Sequence, residues 1–113
     1  CSVGTETSSL ALSEGMSVGR AAVVSDYGGN GAMVENGVSG VVVSRADSNA
    51  LAAVLTELEN DRELLGRMSE AARQRYDERF TPQRMTRELE DFYFEQLCDA
   101  DRKRKSIAPK IDA

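Results

Sequence analysis

The sequence predicts an α/β fold with two parallel strands and long α-helices at its end. Two short apolar runs, at residues 21–25 and 41–44, lack polar alternation, as strands covered on both faces do. A helical segment precedes the first run and a helical turn separates the two, which is the order of a parallel α/β unit. Beyond residue 47, apolar residues recur with helical spacing.

The first helix is predicted at residues 8–18, with Ser8 as its N-cap. Leu12 and Met16 lie four positions apart and begin its apolar stripe. Gly19 follows in the position that is preferred after a helix. A loop with three glycines, residues 26–31, separates the first strand from a helical turn at residues 32–36. The signals that start three further helices are Asp47, then Asn60 or Asp61, then Thr81 followed by Pro82.

The last of these helices is expected to bury an apolar face and to end near Leu97. That face consists of Met85, Leu89, Phe92, Tyr93 and Leu97. From residue 99 the apolar periodicity is lost, and four consecutive basic residues stand at 102–105. Residues 1–98 are therefore predicted to be part of one domain, and residues 99–113 a flexible basic tail.

The composition narrows the class of function. A net charge of −5 over 113 residues argues against a general nucleic-acid binder. No apolar run is long enough for a membrane span or a secretory signal. Without histidine, and with cysteines only at Cys1 and Cys98, the chain holds no Cys/His zinc site and no histidine-dependent catalytic group. We expect a cytoplasmic protein, with any membrane association supplied by parts outside this chain.

Two strands are too few for a stable parallel sheet with both faces covered. The chain also begins at Cys1 rather than Met, with no structural element in its first residues. We therefore expect a piece of a longer domain, whose other strands come from upstream sequence.

The strongest candidate functional residues are Glu6 and Glu14, eight positions apart. The first lies in a polar loop and the second on the helix that this loop opens. Ionised carboxylates accept hydrogen bonds from hydroxyl groups. The free backbone N–H groups of the helix N-terminus between them suit phosphate. Hydroxyls and phosphate together describe a nucleotide sugar.

The segment from Glu6 to Glu14 resembles a motif of the retaining GT-B glycosyltransferases, and more narrowly of the group 1 enzymes that build bacterial polysaccharides and glycolipids. Gly28-Gly29 and the Asn-Gly-Val-Ser-Gly segment at 36–40 add to the resemblance, which runs from about Glu6 to Leu97. It implies that the chain forms the end of a Rossmann-like GT-B domain that binds the sugar donor.

The resemblance also implies individual roles. Glu6 would contact the donor sugar at the reacting centre and is the candidate catalytic residue, whereas Glu14 would hold the ribose hydroxyls. The residues expected around the donor diphosphate are Ser8, Ser9, Leu10 and Ala11. The donor would be a UDP- or GDP-sugar and the acceptor a carbohydrate or a lipid-linked sugar. No metal or other cofactor is expected. An N-terminal domain of the same protein would complete the site, so this chain alone is expected to be inactive.

Some positions differ from the common pattern of this family. Ser8-Ser9 replaces Phe-Gly, Ala21 replaces proline, and 30–32 reads Asn-Gly-Ala instead of Ile-Pro-Glu. Two other interpretations stay open: a non-catalytic scaffold or interaction fragment, and another α/β module that binds sugar nucleotides. Asp26, Arg20 and Arg45 are interpreted as a turn cap and two surface residues.

Overall fold

A computed structural model describes residues 8–107 of the chain. Its elements, in order, are α1 (Leu10–Ser17), β1 (Ala22–Ser25), α2 (Asn30–Met33), β2 (Gly40–Val43), α3 (Ser48–Asn60), α4 (Arg62–Arg79) and α5 (Pro82–Ile107). The chain divides into two compact units, one ending at Phe80 and the other beginning at Thr81. The mixed α/β class with long C-terminal helices is confirmed.

The two strands form a parallel pair, as predicted. Ala22 lies opposite Gly40 and Ser25 lies opposite Val43. The helical turn between the strands begins at Asn30 rather than at residue 32. Gly29 takes the N-cap position, and the Asn30 side-chain amide donates to the Ser25 carbonyl at 3.4 Å. The buried amide thus ties the start of α2 to the end of β1, which the sequence pattern did not show.

The cap of α1 is Ser9, and the prediction of Ser8 is wrong. The Ser9 hydroxyl accepts a hydrogen bond from Leu12 N at 3.2 Å. At the other end, the N–H groups of Gly19 and Arg20 donate to the carbonyls of Met16 and Gly15, both at 3.0 Å. This is a Schellman motif. It requires a left-handed backbone, and Gly19 supplies it with φ of +70°.

The core of the first unit lies between α1, the two strands, α2 and α4. Its buried apolar residues are Leu12, Met16, Val24, Met33, Val34 and Ala72. Met16 and Ala72 are completely buried. Leu12 and Met16 of the stripe predicted on α1 therefore pack into this core, whereas Ala11 and Val18, which also belong to the predicted stripe, are exposed.

Gly40 marks a very close approach between the strands. A Cβ atom added there would clash with the Ala22 carbonyl oxygen and would lie 2.9 Å from Cγ1 of Val34. Only glycine leaves room for the backbone of β1 and the Val34 side chain at this point.

Arg75 of α4 holds the end of α2. Its side chain is 18% exposed, and it donates to the carbonyls of Met33 at 2.7 Å and Ala32 at 2.9 Å. The Glu35 carboxylate lies 3.8 Å from the same guanidinium. A charged side chain satisfies the last carbonyls of a four-residue helix, which has too few residues to satisfy them internally.

The three predicted helix starts are confirmed. The Asp47 carboxylate accepts from Ala50 N at 2.9 Å, and the Thr81 hydroxyl accepts from Arg84 N at 3.3 Å. Of the two candidates for α4, the cap is Asp61, which accepts from Leu64 N at 3.0 Å. These are the side-chain bonds that satisfy free N–H groups at helix N-termini.

In the second unit, α5 continues to Ile107, so residues 99–107 are helical rather than a tail. Ion pairs one turn apart, from Asp99 to Arg102 at 3.5 Å and from Asp101 to Lys105 at 3.0 Å, support this extension. The predicted domain boundary stays a prediction, and residues 108–113 lie outside the described part of the chain.

Within the described residues, the second unit contains α5 alone, so the expected packing of its apolar face stays a prediction. Its five predicted core residues are between 51% and 66% exposed. Within residues 8–107, no helix has the length and hydropathy required to cross a membrane.

Candidate functional site

Three chain segments lie on the same side of the strand pair, at the carboxyl ends of its strands. β1 and β2 run in parallel, so the loops at 26–29 and 44–47 leave the sheet on the same side. A short connection joins α1 to β1, and both pack into one core, so α1 runs back along β1 and begins on that same side. We call this side, with the start of α1 and the two loops, the carboxyl edge. Ligands of open α/β sheets bind in this position.

The first turn of α1 presents free donors. Within the described residues, no group accepts a hydrogen bond from the N–H of Leu10 or Ala11. The first N–H group of this turn that has an acceptor is that of Leu12, which donates a hydrogen bond to the Ser9 hydroxyl. Leu10 is 77% exposed, so protein does not cover this turn. Free N–H groups and the helix dipole make the turn attractive to an anion.

Glu14 lies one turn further along on the exposed side of α1. It is three residues from Ala11 and four from Leu10, so all three share one helix face. Because helical side chains tilt toward the N-terminus, the Glu14 side chain extends over the first turn. Among residues 8–107 no cation forms an ion pair with it. Its carboxylate is therefore available as an acceptor.

The predicted donor-binding residues are thus together: Ser8, Ser9, Leu10, Ala11 and Glu14 occupy the start of α1 and its exposed face. Glu6, the predicted catalytic residue, lies outside the described residues. The individual roles of all six residues stay predictions.

The loops after the two strands are joined to each other. Asp26 N donates to the Val43 carbonyl at 2.9 Å, and the Asp26 carboxylate accepts from Arg45 N at 2.7 Å. The Arg45 guanidinium carbon lies 4.6 Å from the centre of the Tyr27 ring. Asp26 therefore caps a turn, as predicted. The sequence analysis did not single out Tyr27, although its place next to a strand end was a usable signal.

The glycine pair after β1 allows the tight turn between β1 and α2. Gly28 has φ of +61°, a conformation that favours glycine, and Gly29 is the residue before α2. A dinucleotide fingerprint needs a full helix directly after the glycines, whereas α2 has four residues.

The Asn-Gly segment before β2 is also structural. The Asn36 side-chain oxygen accepts from Val42 N at 2.9 Å, and Gly37 N donates to the Gly40 carbonyl at 2.8 Å. This segment enters β2 at the opposite edge of the sheet from the start of α1. Arg20, which stands between α1 and β1, lies at that opposite edge as well.

The acidic side chains do not gather into a metal site. Within residues 8–107, no group of three His, Cys, Asp or Glu residues could hold a metal ion. The expectation that no metal takes part stays a prediction.

A parallel strand pair with a helix N-terminus at its carboxyl edge is the arrangement found in Rossmann-like domains. Residues 1–75 match the family model described as Glycosyl transferases group 1, and the chain belongs to this family. No curated protein sequence matches the chain significantly.

Two solved structures show the same fold. The crystal structure of Anabaena HepE in complex with UDP has a TM-score of 0.79 and 21% sequence identity, over 83% of this chain and 26% of that one. Sucrose-phosphate synthase from Thermosynechococcus elongatus has a TM-score of 0.74 and 22% identity, over 80% of this chain and 23% of that one. The chain therefore spans about a quarter of the length of each. The fold is that of the GT-B glycosyltransferases, as the sequence predicted.

Proposed function

We propose that the protein containing this chain transfers a sugar from a nucleoside-diphosphate sugar to an acceptor, with retention of configuration. The observation that carries the proposal is the start of α1, where the N–H groups of Leu10 and Ala11 have no acceptor among residues 8–107 and lie beside the exposed Glu14. Membership of the group 1 glycosyltransferase family supports it. The UDP in the HepE structure supports a nucleotide donor in a protein of the same fold.

The chemistry assigned to these residues is binding, orientation and charge stabilisation. When the bond from the sugar to the diphosphate breaks, negative charge grows on the leaving phosphate. Free N–H groups at the start of α1 stabilise the transition state, in which this charge grows, more than they stabilise the ground state. This difference accelerates the reaction. Glu14 holds the ribose hydroxyls and Glu6 positions the sugar. The acceptor oxygen bonds to the sugar on the face that the diphosphate leaves, and its proton passes to the leaving phosphate.

Other components of the reaction are proposed to lie outside this chain. An N-terminal domain of the same protein supplies the acceptor site, and the acceptor is a carbohydrate or a lipid-linked sugar. The donor carries UDP or GDP, no metal is required, and the protein works in the cytoplasm.

Calorimetry on the full-length protein tests the role of Glu14. We expect Glu14→Ala to weaken binding of UDP, or of GDP if that is the nucleotide bound, by about tenfold or more, because a charged acceptor for the ribose hydroxyls is lost. Glu57→Ala on α3 is the matched control, since Glu57 is exposed and lies far along the chain from α1. Equal affinity in the two variants would contradict the assignment.

The second candidate is a non-catalytic interaction function. The exposed apolar face of α5 favours it, since exposed apolar surface of this kind marks contacts with other protein. Under this alternative the full-length protein binds neither UDP nor GDP. Clear binding of either nucleotide would contradict this alternative.

A further inference from the structure

Arg45 is held at the carboxyl edge by two independent contacts. Its backbone N–H donates to the Asp26 carboxylate at 2.7 Å. Its guanidinium lies over the Tyr27 ring, 4.6 Å from the ring centre. Both contacts come from the loop after β1, whereas Arg45 itself follows β2. The contact with the Tyr27 ring therefore leaves the Arg45 side chain less free than that of an ordinary surface arginine.

The charge of this guanidinium is not neutralised by a neighbour. Among residues 8–107, no carboxylate forms an ion pair with Arg45, and the nearby Asp26 accepts from the backbone of Arg45 instead. Within the described part of the chain, no acceptor takes a hydrogen bond from the guanidinium N–H groups of Arg45, which lies against the Tyr27 ring. Those groups form the planar fork that binds phosphate with two hydrogen bonds.

The backbone next to Arg45 is unusual. Ala46 has φ of +59°, the left-handed conformation that residues other than glycine rarely adopt. Asp47 N donates to the Ser44 carbonyl at 3.3 Å and closes the turn around it. Backbone conformations of this kind concentrate at binding sites, where the surrounding structure maintains them.

We propose that Arg45, positioned by Tyr27, binds the diphosphate of the sugar donor at the carboxyl edge. The inference rests on the proposed function, and it adds a side-chain cation to the N–H groups of α1. Both lie on the same side of the sheet, and the proposal requires that one diphosphate contact both. Arg20 makes no such contact, because it lies at the opposite edge.

The test compares two exposed arginines in the full-length protein. Arg45→Gln is expected to weaken binding of UDP, or of GDP if that is the nucleotide bound, by roughly tenfold, the effect of losing a hydrogen-bonded charge. Arg20→Gln should leave the affinity within about twofold, because an exposed charge at the opposite edge is screened. Equal affinities in the two variants would overturn the proposal.

Two further measurements separate binding from a structural effect. Loss of a phosphate contact should make the dissociation constant less dependent on salt concentration, since one screened charge is removed. Weaker binding with unchanged salt dependence would indicate a structural role and would also overturn the proposal. Tyr27→Leu should weaken binding less than Arg45→Gln does, and Tyr27→Phe should resemble wild type because the ring is kept.

The outcomes distinguish this inference from the proposed function. If Glu14→Ala weakens nucleotide binding and Arg45→Gln does not, the proposed function stands and the role of Arg45 is wrong. If the wild-type protein binds neither UDP nor GDP, both are wrong.

Discussion

At Gly40 a single hydrogen atom in place of a side chain allows the two strands to pair. The Ala22 carbonyl and the Val34 methyl group occupy the space that a Cβ would need. Because one of these groups is backbone in the sheet, the site cannot relax by rotating a side chain. Gly40 therefore matters for packing rather than for conformational freedom.

We expect Gly40→Ala to lower the free energy of unfolding by about 2 kcal/mol or more, the cost of overpacking a tight site. Denaturation with urea, followed by circular dichroism, measures the change. Gly66→Ala is the control, since nothing lies within 4 Å of a Cβ added at this exposed position in α4. In a helix interior that substitution should stabilise by roughly 0.5–1 kcal/mol. Similar effects of the two substitutions would contradict the packing argument.

The cap of α1 shows what sequence can and cannot establish at this scale. Ser8 and Ser9 have the same chemistry, and either can cap a helix. The choice depends on where the backbone enters the helix, which is set by packing of Leu12 and Met16 against the core. Local sequence identifies the type of cap, whereas tertiary packing selects the residue.

At the scale of single elements, α1 depends on its cap because it has only eight residues. We expect Ser9→Ala to destabilise the protein by about 1 kcal/mol, since the N–H of Leu12 loses its acceptor. Ser8→Ala, at an exposed position that caps nothing, should change the stability by less than about 0.5 kcal/mol. Urea denaturation compares the two. A larger effect for Ser8→Ala would show that the cap is assigned to the wrong serine.

Helix boundaries could be predicted where the signal that sets them is local. Asp47 and Thr81 cap their helices through bonds to residues three positions away, so the signal is local. The end of α5 was placed near Leu97 because apolar periodicity stops there. Ion pairs such as Asp101–Lys105 nonetheless continue the helix without an apolar stripe. Similarly, the start of α2 depends on the contact between Asn30 and Ser25.

At the scale of the whole molecule, the start of α1 is proposed to provide one part of a binding site. The 113 residues alone should not transfer sugar from UDP- or GDP-sugars, because the acceptor site is proposed to lie elsewhere in the protein. A radiolabelled transfer assay on this chain and on the full-length protein measures the difference. Turnover by the isolated chain at a rate similar to that of the full-length protein would contradict the proposed division of the site.

The fold and the family could be predicted because several motifs agreed. The two glutamates, the glycine pair and the Asn-Gly segment each carry a weak signal, but their order and spacing are specific. The structure shows that two of these motifs shape turns, since Gly28 adopts a left-handed conformation and Asn36 binds the backbone of β2. The Tyr27–Arg45 pair was missed because its members lie on different loops, and only the parallel pairing of the strands brings them together.

The contact from Arg75 to α2 has a consequence for synthesis on the ribosome. The carbonyls of Ala32 and Met33 receive their donors from a residue 43 and 42 positions later in the chain. Because the N-terminal part of a chain emerges first, α2 leaves the exit tunnel long before its partner does. We therefore expect α2 to lack its stabilising hydrogen bonds during translation until α4 has emerged. The connection from β1 to β2 would then be completed late, together with the docking of α4.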